Sequence, residues 1–205
     1  MKRLALPFLI VGLLLLGACA PASVSEPTIP AHFTTYKLGL FSISYPSDWE
    51  LASSMFIEGI TRDVENYLRD IGSIGSLAGG EVVFFGGIPY ETGYNPNVNV
   101  IVILSSEGRW ELEDLIDAVQ REYMNDAEEY YEFSRTKTVV DGSEAIILDC
   151  AAKYPSLGEW HSLQMFLRDN NNNLLWIVTC SVIPPKDFSD FEDDFYAIVK
   201  SLRTH

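Results

Sequence analysis

The sequence is poor in cysteine and histidine, two residues that often build metal sites and nucleophilic active sites. Its 205 residues include 3 Cys and 3 His, and His32, His161 and His205 lie far apart along the chain. Neither a His-Glu-x-x-His motif nor a His-x-His pair occurs, so no zinc site is predicted. A Gly-x-Ser-x-Gly elbow and a phosphate-binding loop with its lysine are also missing. We therefore expect a non-enzymatic protein without a metal or cofactor.

Positive charge is scarce as well. The chain has 14 Lys and Arg against 29 Asp and Glu, and its formal net charge is −15. Such a surface repels phosphate backbones, which makes nucleic acid a poor partner. It also repels anionic lipid head groups, so a basic patch cannot hold the protein at a membrane. Acidic clusters such as Glu128, Glu129 and Glu132 are expected to be solvated faces, with weak divalent-cation binding as the alternative.

The sequence lacks a hydrophobic run long enough to span a membrane. Its longest apolar stretch, residues 4–16, is shorter than a helix needs to cross about 30 Å of hydrocarbon. Lys2 and Arg3 precede this stretch and two small residues follow it, which is the layout of a signal peptide. We expect residues 1–18 to be removed during export.

The end of this leader carries a more specific motif. Leu16-Gly17-Ala18-Cys19 resembles the lipobox of bacterial lipoproteins, in which the Cys thiol receives a diacylglyceryl group and cleavage occurs just before it. The resemblance implies that Cys19 is the lipidated first residue, carrying acyl chains such as palmitate. Two acyl chains give stable membrane anchoring. An ordinary secretory signal with a chance Cys at the cleavage site is the alternative.

A Pro-rich spacer follows Cys19 and has no hydrophobic periodicity. We expect residues 19–34 to form a flexible tether and residues 35–205 to form one domain, which is long enough to bury its own core. The protein would then face the outside of the cytoplasm, held at the cell membrane or the outer membrane by its lipid.

Hydrophobic periodicity in this domain predicts an antiparallel sheet flanked by helices, an α+β fold. Short turns at Asp141-Gly142, 155–158 and 169–173 predict that the later strands are sequential antiparallel neighbours. Asp187 is the predicted N-cap of the last helix. The expected elements are a hairpin at 35–45, a helix at 56–71, a loop at 72–80, strands at 81–87 and 98–104 separated by a loop at 88–97, a helix that begins near Trp110, strands at 130–140, 144–154, 160–168 and 174–183, and a helix at 188–202.

Several motifs along the chain resemble those of the PsbP-like family. Residues 39–50, GLFSISYPSDWE, are similar to its G-F-S-I-x-Y-P-x-x-W opening. Residues 140–145 and 174–184 are similar to its V-x-G-x-x-A and Y-x-V-T segments. Phe191, Phe195, Ile198 and Ser201 are spaced like its F-x-x-x-F-x-x-I-x-x-S helix. The match covers about residues 36–203 in order, and its most specific part is the corner at residues 45–49.

The resemblance implies a three-layer α/β/α sandwich around an antiparallel sheet. The family's namesake is a lumenal accessory subunit of photosystem II, and bacterial relatives are often lipoproteins of unknown role. The family has no shared catalytic residues to carry over. We expect Tyr45, Pro46 and Trp49 to fix the corner and cover the core, because large aromatic residues usually serve packing.

The remaining thiols, Cys150 and Cys180, form the obvious candidate disulfide of an exported chain. They lie on predicted strands that flank a third strand, however, and strands two apart are separated by about 10 Å. A bridge needs Cα atoms within about 7 Å. We therefore expect two reduced, buried thiols.

Two kinds of binding function, and one kind of catalysis, remain open. The leading hypothesis is a lipid-anchored accessory module that docks a protein partner through a sheet edge or the Gly-rich loop at 72–80. The alternative is a lipoprotein that binds a small molecule or a divalent cation, with a pocket near Tyr90, Tyr94 and Trp110. A hydrolase would need His161, predicted as a surface strand residue, within hydrogen-bond reach of a Ser or Asp in a cleft.

Overall fold

A computed structural model describes residues 28–70, 77–90, 93–105, 111–169 and 171–205. Among them, no helix has the length and apolar character that crossing a membrane requires. Helices α1, α2 and α3 span Ser54–Asp70, Leu112–Asp126 and Glu192–Ser201, and a short 3-10 turn spans Phe188–Asp190. The strands are β1 Phe33–Leu38, β2 Phe41–Pro46, β3 Glu50–Leu51, β4 Leu77–Tyr90, β5 Gly93–Ser105, β6 Glu129–Val140, β7 Ser143–Tyr154, β8 Gly158–Asp169, β9 Leu174–Val182 and β10 Arg203–Thr204.

The centre of the molecule is a seven-stranded antiparallel sheet with the order β3-β4-β5-β9-β8-β7-β6. As predicted from the short turns, β6, β7, β8 and β9 are successive neighbours. The chain then returns so that β9 pairs with β5. This arrangement leaves β6 at one edge of the sheet and the very short β3 at the other.

Two layers cover the faces of this sheet. Helices α1 and α2 lie on one face, where Ile101 contacts the side chains packed under both helices. On the other face lie α3 and a small three-stranded sheet with the order β1-β2-β10. The α+β sandwich predicted from the sequence is therefore confirmed, with a small sheet sharing the second outer layer with a single helix.

The corner at residues 45–49, at the end of β2, is packed into the core. Tyr45 and Trp49 are 8% and 6% exposed, and the Trp49 N–H donates to the Pro46 carbonyl oxygen at 3.1 Å. Trp49 meets the ring of Phe195 on α3 edge to face at 6.3 Å. The corner thus joins the small sheet to the last helix, and burial raises the pKa of the Tyr45 hydroxyl.

The two thiols lie on opposite faces of the sheet. Cys150 on β7 packs with the α2 side and Cys180 on β9 with the α3 side, and both are free and buried. Strand β8 separates them, because Cys150 is opposite Ser162 and Cys180 is opposite Leu163. The expectation of two reduced thiols agrees with this placement, and burial raises the pKa of both groups.

Four boundary predictions are wrong. The expected loop at 88–97 is mostly strand, because β4 and β5 continue as a hairpin to Tyr90 and from Gly93. The expected loop at 72–80 already contains strand from Leu77, while residues 72–76 lie outside the described part. Strand β1 begins at Phe33, inside the predicted tether, since it pairs fully with β2. Asp187 precedes the 3-10 turn without a side-chain cap, and Phe191 precedes α3.

Candidate interaction surface

Strand β6 forms one long border of the central sheet. Its 12 residues pair with β7 on one side, and within the described ranges its other side has no strand partner. A strand edge of this kind presents unpaired N–H and C=O groups to its surroundings. The short β3 covers only two residues at the opposite edge, where it pairs with Gly86 and Gly87 of β4.

A β-bulge interrupts β6 at Phe133. Glu132 is opposite Cys150 and Ser134 is opposite Asp149, so Phe133 is the extra residue. Bulges redirect side chains and are common at sheet edges. Here Phe133 reaches His161 on β8, with ring centroids 5.1 Å apart, on the α3 side of the sheet.

Four rings continue this arrangement across the surface. Tyr131 stacks on Phe133 at 6.5 Å, and His161 stacks on Phe188 at 3.7 Å with an interplanar angle of 7°. Tyr131 and Phe133 are 51% and 58% exposed. We call the set Tyr131, Phe133, His161 and Phe188 the aromatic row. Large aromatic residues that remain this exposed and lie together are typical of binding surfaces.

The base of the aromatic row is polar and ordered. His161 Nε2 lies 2.7 Å from Asp149 Oδ1, and both side chains are mostly buried. Tyr196 on α3 lies beside them, hydrogen-bonded to Ser134, and its pKa is raised chiefly by burial and then by Asp149. Lys200 places its ammonium group over the Tyr196 ring, 5.2 Å from the centroid. These contacts hold the imidazole ring in a fixed orientation.

Carboxylates border the aromatic row. The Tyr131 hydroxyl donates to Glu129, which raises the pKa of the tyrosine and lowers the pKa of Glu129. Glu159 also lies close enough to raise the Tyr131 pKa. Lys153 bridges Glu128 and Glu129 at 3.6 and 3.5 Å, and these two acids raise its pKa. The local surface thus carries more negative than positive charge.

The opposite face of β6 is tied to α2 by one guanidinium group. Arg135 donates from Nη1 to Glu113 and Asp117, both at 2.9 Å, and from Nη2 to Gln120 at 2.7 Å and Glu132 at 3.1 Å. Lys137 adds a 3.1 Å contact to Glu113. Both cations of β6 are therefore neutralised on the α2 side, and the strand is held firmly against the helix.

The sequence-predicted binding residues lie elsewhere. Tyr94 packs against the rings of Phe56 and Phe85, at 5.4 and 5.6 Å, near the β3 edge. Its hydroxyl lies 3.5 Å from the Leu51 carbonyl oxygen. Tyr90 is the last residue of β4, and Trp110 and the predicted lipidation residue Cys19 lie outside the described part of the chain.

One cavity, of about 520 Å³, lies between α1 and β4. Glu58, Thr61 and Arg62 of α1 line it, together with Ile57, Glu81 and Val82. Tyr94 is not among these residues. The lining combines two carboxylates with one guanidinium group.

His161 and Asp149 are the one pair on this surface that resembles part of a metal or catalytic site within the described residues. No group of three or more potential metal-ligating side chains exists among the residues that the structure describes. The Asp169 carboxylate accepts hydrogen bonds from the Asn171 and Asn172 amides in the β8–β9 turn. Ser162 lies on the other face of the sheet from His161 and contacts the thiol of Cys150 at 3.4 Å.

Sequence reasoning missed the aromatic row. In a meander the first strand lies at an edge of the sheet, so the sequence places 130–140 at an edge. The segment 129–133 is also rich in aromatic and acidic residues. The bulge that brings Phe133 to His161 leaves no sequence signature, since it arises from the pairing of two strands.

Comparison with known proteins reveals the fold. No family model and no curated protein matches the sequence. The solution structure of cyanobacterial PsbP from Synechocystis sp. PCC 6803 superposes with a TM-score of 0.54 at 15% identity, covering 93% of this chain and 99% of that one. The chain therefore has a PsbP-like fold, as its motifs suggest.

Two further solved structures are similar at a lower level. LpqN, involved in cell envelope biogenesis of Mycobacterium tuberculosis, has a TM-score of 0.47 at 13% identity, covering 84% of this chain and 90% of its own. The immunity protein TplEi from Pseudomonas aeruginosa has a TM-score of 0.49 at 11% identity, covering 84% and 98%.

Proposed function

We propose that this PsbP-like domain is a non-enzymatic accessory module, tethered outside the cytoplasm by a lipid on Cys19, that binds a protein partner through β6 and the aromatic row. The main evidence is that Tyr131 and Phe133 are exposed at the edge of β6, which pairs with no other described strand on that side. Rigid aromatic anchors next to backbone hydrogen-bonding groups are a common basis of protein recognition.

The setting of His161 supports docking rather than hydrolysis. One face of its ring is covered by Phe188, and its Nε2 is engaged by Asp149. Ser134, a serine of β6 on this side of the sheet, interacts with Tyr196. A nucleophile–base pair requires a hydroxyl or thiol within hydrogen-bond reach of the base, and the described contacts of His161 supply an acid and two aromatic rings instead.

Site-specific photocrosslinking tests this function in the cell. The full chain, produced in its own host with p-benzoylphenylalanine at position 133, is irradiated and its adducts are identified by mass spectrometry. Met55, 81% exposed on α1 near the opposite edge, is the matched control position. We expect a defined protein adduct from position 133 that is missing from position 55. Identical adduct patterns from both positions would argue against a docking role for β6.

The second candidate is a small-molecule or divalent-cation binder, favoured by the cavity between α1 and β4. Carboxylates such as Glu58 and Glu81 suit a cation or an amine. Thermal-shift measurements with Ca²⁺, Mg²⁺ and a panel of amines test it, with Glu81→Gln as the variant. A shift in the unfolding temperature that the variant abolishes supports this candidate, and a flat response across the panel rejects it.

A further inference from the structure

We infer that the segment bound at β6 is an extended, cationic stretch of the partner protein that pairs with β6 as an added strand. This inference rests on the proposed function and specifies the chemistry of the partner. It has three supports, which are the backbone edge, the charge around the aromatic row, and the alternation of side chains along a strand.

The backbone of β6 is suited to receive another strand. The segment Glu129–Val140 has no proline, so each of its residues retains a backbone N–H group. Proteins often protect an edge with charged side chains. Here the two cations, Arg135 and Lys137, are drawn toward α2 by Glu113 and Asp117 and away from the α3 side. An extended peptide that adds to an edge gains affinity from main-chain hydrogen bonds.

The charge around the aromatic row selects the sign of the partner. Glu129 and Glu159 lie near Tyr131, Asp149 lies under His161, and Glu192 lies near Tyr196. Complementary charge speeds encounter and excludes partners of like charge. A Lys or Arg entering here meets both carboxylates and ring faces, and ring faces attract cations.

The protein already contains one such contact. Lys200 lies over the ring of Tyr196, which adjoins the base of the aromatic row. Tyr131 and Phe133 contact each other and are still 51% and 58% exposed, so part of each ring remains open to a partner. A partner cation placed over either ring would repeat the geometry that Lys200 and Tyr196 have on α3.

Alternation along a strand gives the expected pattern. Successive side chains of a strand point to opposite faces of the sheet. Every second side chain of an added strand therefore lies on the α3 side, where those next to Tyr131 and Phe133 meet the outer end of the aromatic row, and the side chains between them lie beside Glu132 and Arg135 on the α2 side. We expect Lys or Arg at alternate positions of the bound segment, over a length of five to seven residues or about 20 Å.

A second copy of this chain fits the surface less well. The formal net charge of each copy is −15, and like charge of this size opposes self-association. A cationic segment lowers the total charge of the complex, whereas a second copy doubles it.

Selection from a random peptide library tests the inference. The purified full chain is panned against a phage library of random decapeptides, with Tyr131→Ser/Phe133→Ser for counter-selection and Met55→Ser as the matched control. Both replaced side chains are more than half exposed, so the double variant should fold. We expect enriched peptides with alternating Lys or Arg, about tenfold weaker binding to the double variant, and unchanged binding to the control.

Several results would overturn the inference. They are the absence of enrichment, acidic or helical consensus sequences, equal binding to the double variant, and self-association of the purified chain through β6 in sedimentation analysis. Photocrosslinking at position 133 separates this failure from failure of the proposed function. If position 133 gives a defined adduct but the selected peptides are not cationic, the inference about the partner's charge is wrong and the proposed docking role stands.

Discussion

Ser201 connects the last helix to the second strand through a single hydroxyl group. The Ser44 N–H of β2 donates to Ser201 Oγ at 2.8 Å, and the Ser201 hydroxyl donates to the Ile198 carbonyl oxygen at 2.7 Å. Both serines are buried, at 3% and 4% exposure. Ser201, the last residue of the helix motif, thus provides the hydrogen-bond acceptor for a backbone N–H group of β2, the strand that carries the first motif of the domain.

Replacement of this hydroxyl should be costly for its size. Ser201→Ala leaves the buried Ser44 N–H without its acceptor, and we expect the free energy of unfolding to fall by about 1–3 kcal/mol. Urea unfolding followed by circular dichroism measures the loss. Ser189→Ala, at an exposed position in the 3-10 turn, is the control and should change stability by less than about 0.5 kcal/mol. Equal effects of the two variants would contradict the assigned role of Ser201.

The ion-pair network of Arg135 predicts a dependence of stability on pH. The hydrogen bond from Arg135, followed by that from Lys137, lowers the pKa of Glu113 below its ordinary value of 4.5. A carboxyl with a lowered folded-state pKa stabilises the fold above its unfolded pKa, and this contribution is lost as the pH falls through the folded-state value. The side chain is 37% exposed, so solvent screening keeps the contribution small.

Glu113→Gln isolates this contribution. We expect the variant to be about 0.5 kcal/mol less stable than the unmodified chain at pH 7. The difference should shrink as the pH falls below 4.5 and disappear below the lowered folded-state pKa, where Glu113 is protonated in both states. Urea titrations at several pH values measure it. A difference that is constant from neutral to acid pH would show that Glu113 acts through something other than its charge.

At the scale of elements, the β4–β5 hairpin depends on a close backbone approach at Gly87. A Cβ atom at this position would lie 2.2 Å from the Pro96 carbonyl oxygen and 2.9 Å from Asn97 Cα. Both are backbone atoms and cannot rotate away as a side chain would. The register of the hairpin shifts between Gly87 and Pro89, next to this approach.

Gly87→Ala should therefore destabilise the domain. We expect a loss of about 1–3 kcal/mol, the range typical of overpacking. Gly59→Ala is the matched control, because its Cβ would enter open space on α1 and a helical glycine is unfavourable relative to alanine. The control should gain about 0.5–1 kcal/mol. Thermal unfolding of both variants gives the comparison, and a neutral Gly87→Ala would show that the hairpin can adjust.

The sequence predicts this fold best where pairing is local. The meander from β6 to β9 follows from hydrophobic runs joined by turn residues, and α2 and α3 follow from apolar spacing. The hairpin at 88–97 cannot be predicted in this way, because Pro89, Gly93 and Pro96 normally indicate a loop. Here β4 accommodates Pro89 beside a register shift, and long-range pairing with β9 holds β5 in place.

The interaction surface is harder to predict than the fold. Tyr131 and Phe133 come from β6, His161 from β8 and Phe188 from the turn before α3, so their proximity depends on strand order and on a bulge. Neither is encoded in the local pattern of residues. The corner residues Tyr45 and Trp49 are easier, because a compact motif carries their packing role.

At the scale of the whole molecule, the net charge bears on the proposed attachment to a membrane. A net charge of −15 keeps the domain away from anionic membrane surfaces, so attachment depends on the proposed lipid. The described chain begins next to α3, where His32 Nε2 lies 3.1 Å from Asp194 Oδ1. The described residues thus begin on the side of the domain that carries α3 and the small sheet.

Removal of the lipidation site should release the protein from the membrane. We expect Cys19→Ser, produced in the native host, to lose most of its membrane-fraction signal or to remain as the uncleaved precursor. Mass spectrometry of the unmodified product should find an acylated Cys19 as the first residue. An intact leader at residues 1–18 or an unmodified Cys19 would contradict the proposed anchoring.

The most direct test of the docking role is amide hydrogen exchange along β6. The purified full chain is measured alone and after addition of a detergent-solubilised envelope extract from a strain that lacks the protein. We predict slower exchange within residues 129–140, unchanged exchange at Glu50–Leu51 of β3, and loss of the slowing in Tyr131→Ser/Phe133→Ser. Unchanged exchange along β6, or slowing confined to the cavity between α1 and β4, would contradict the account.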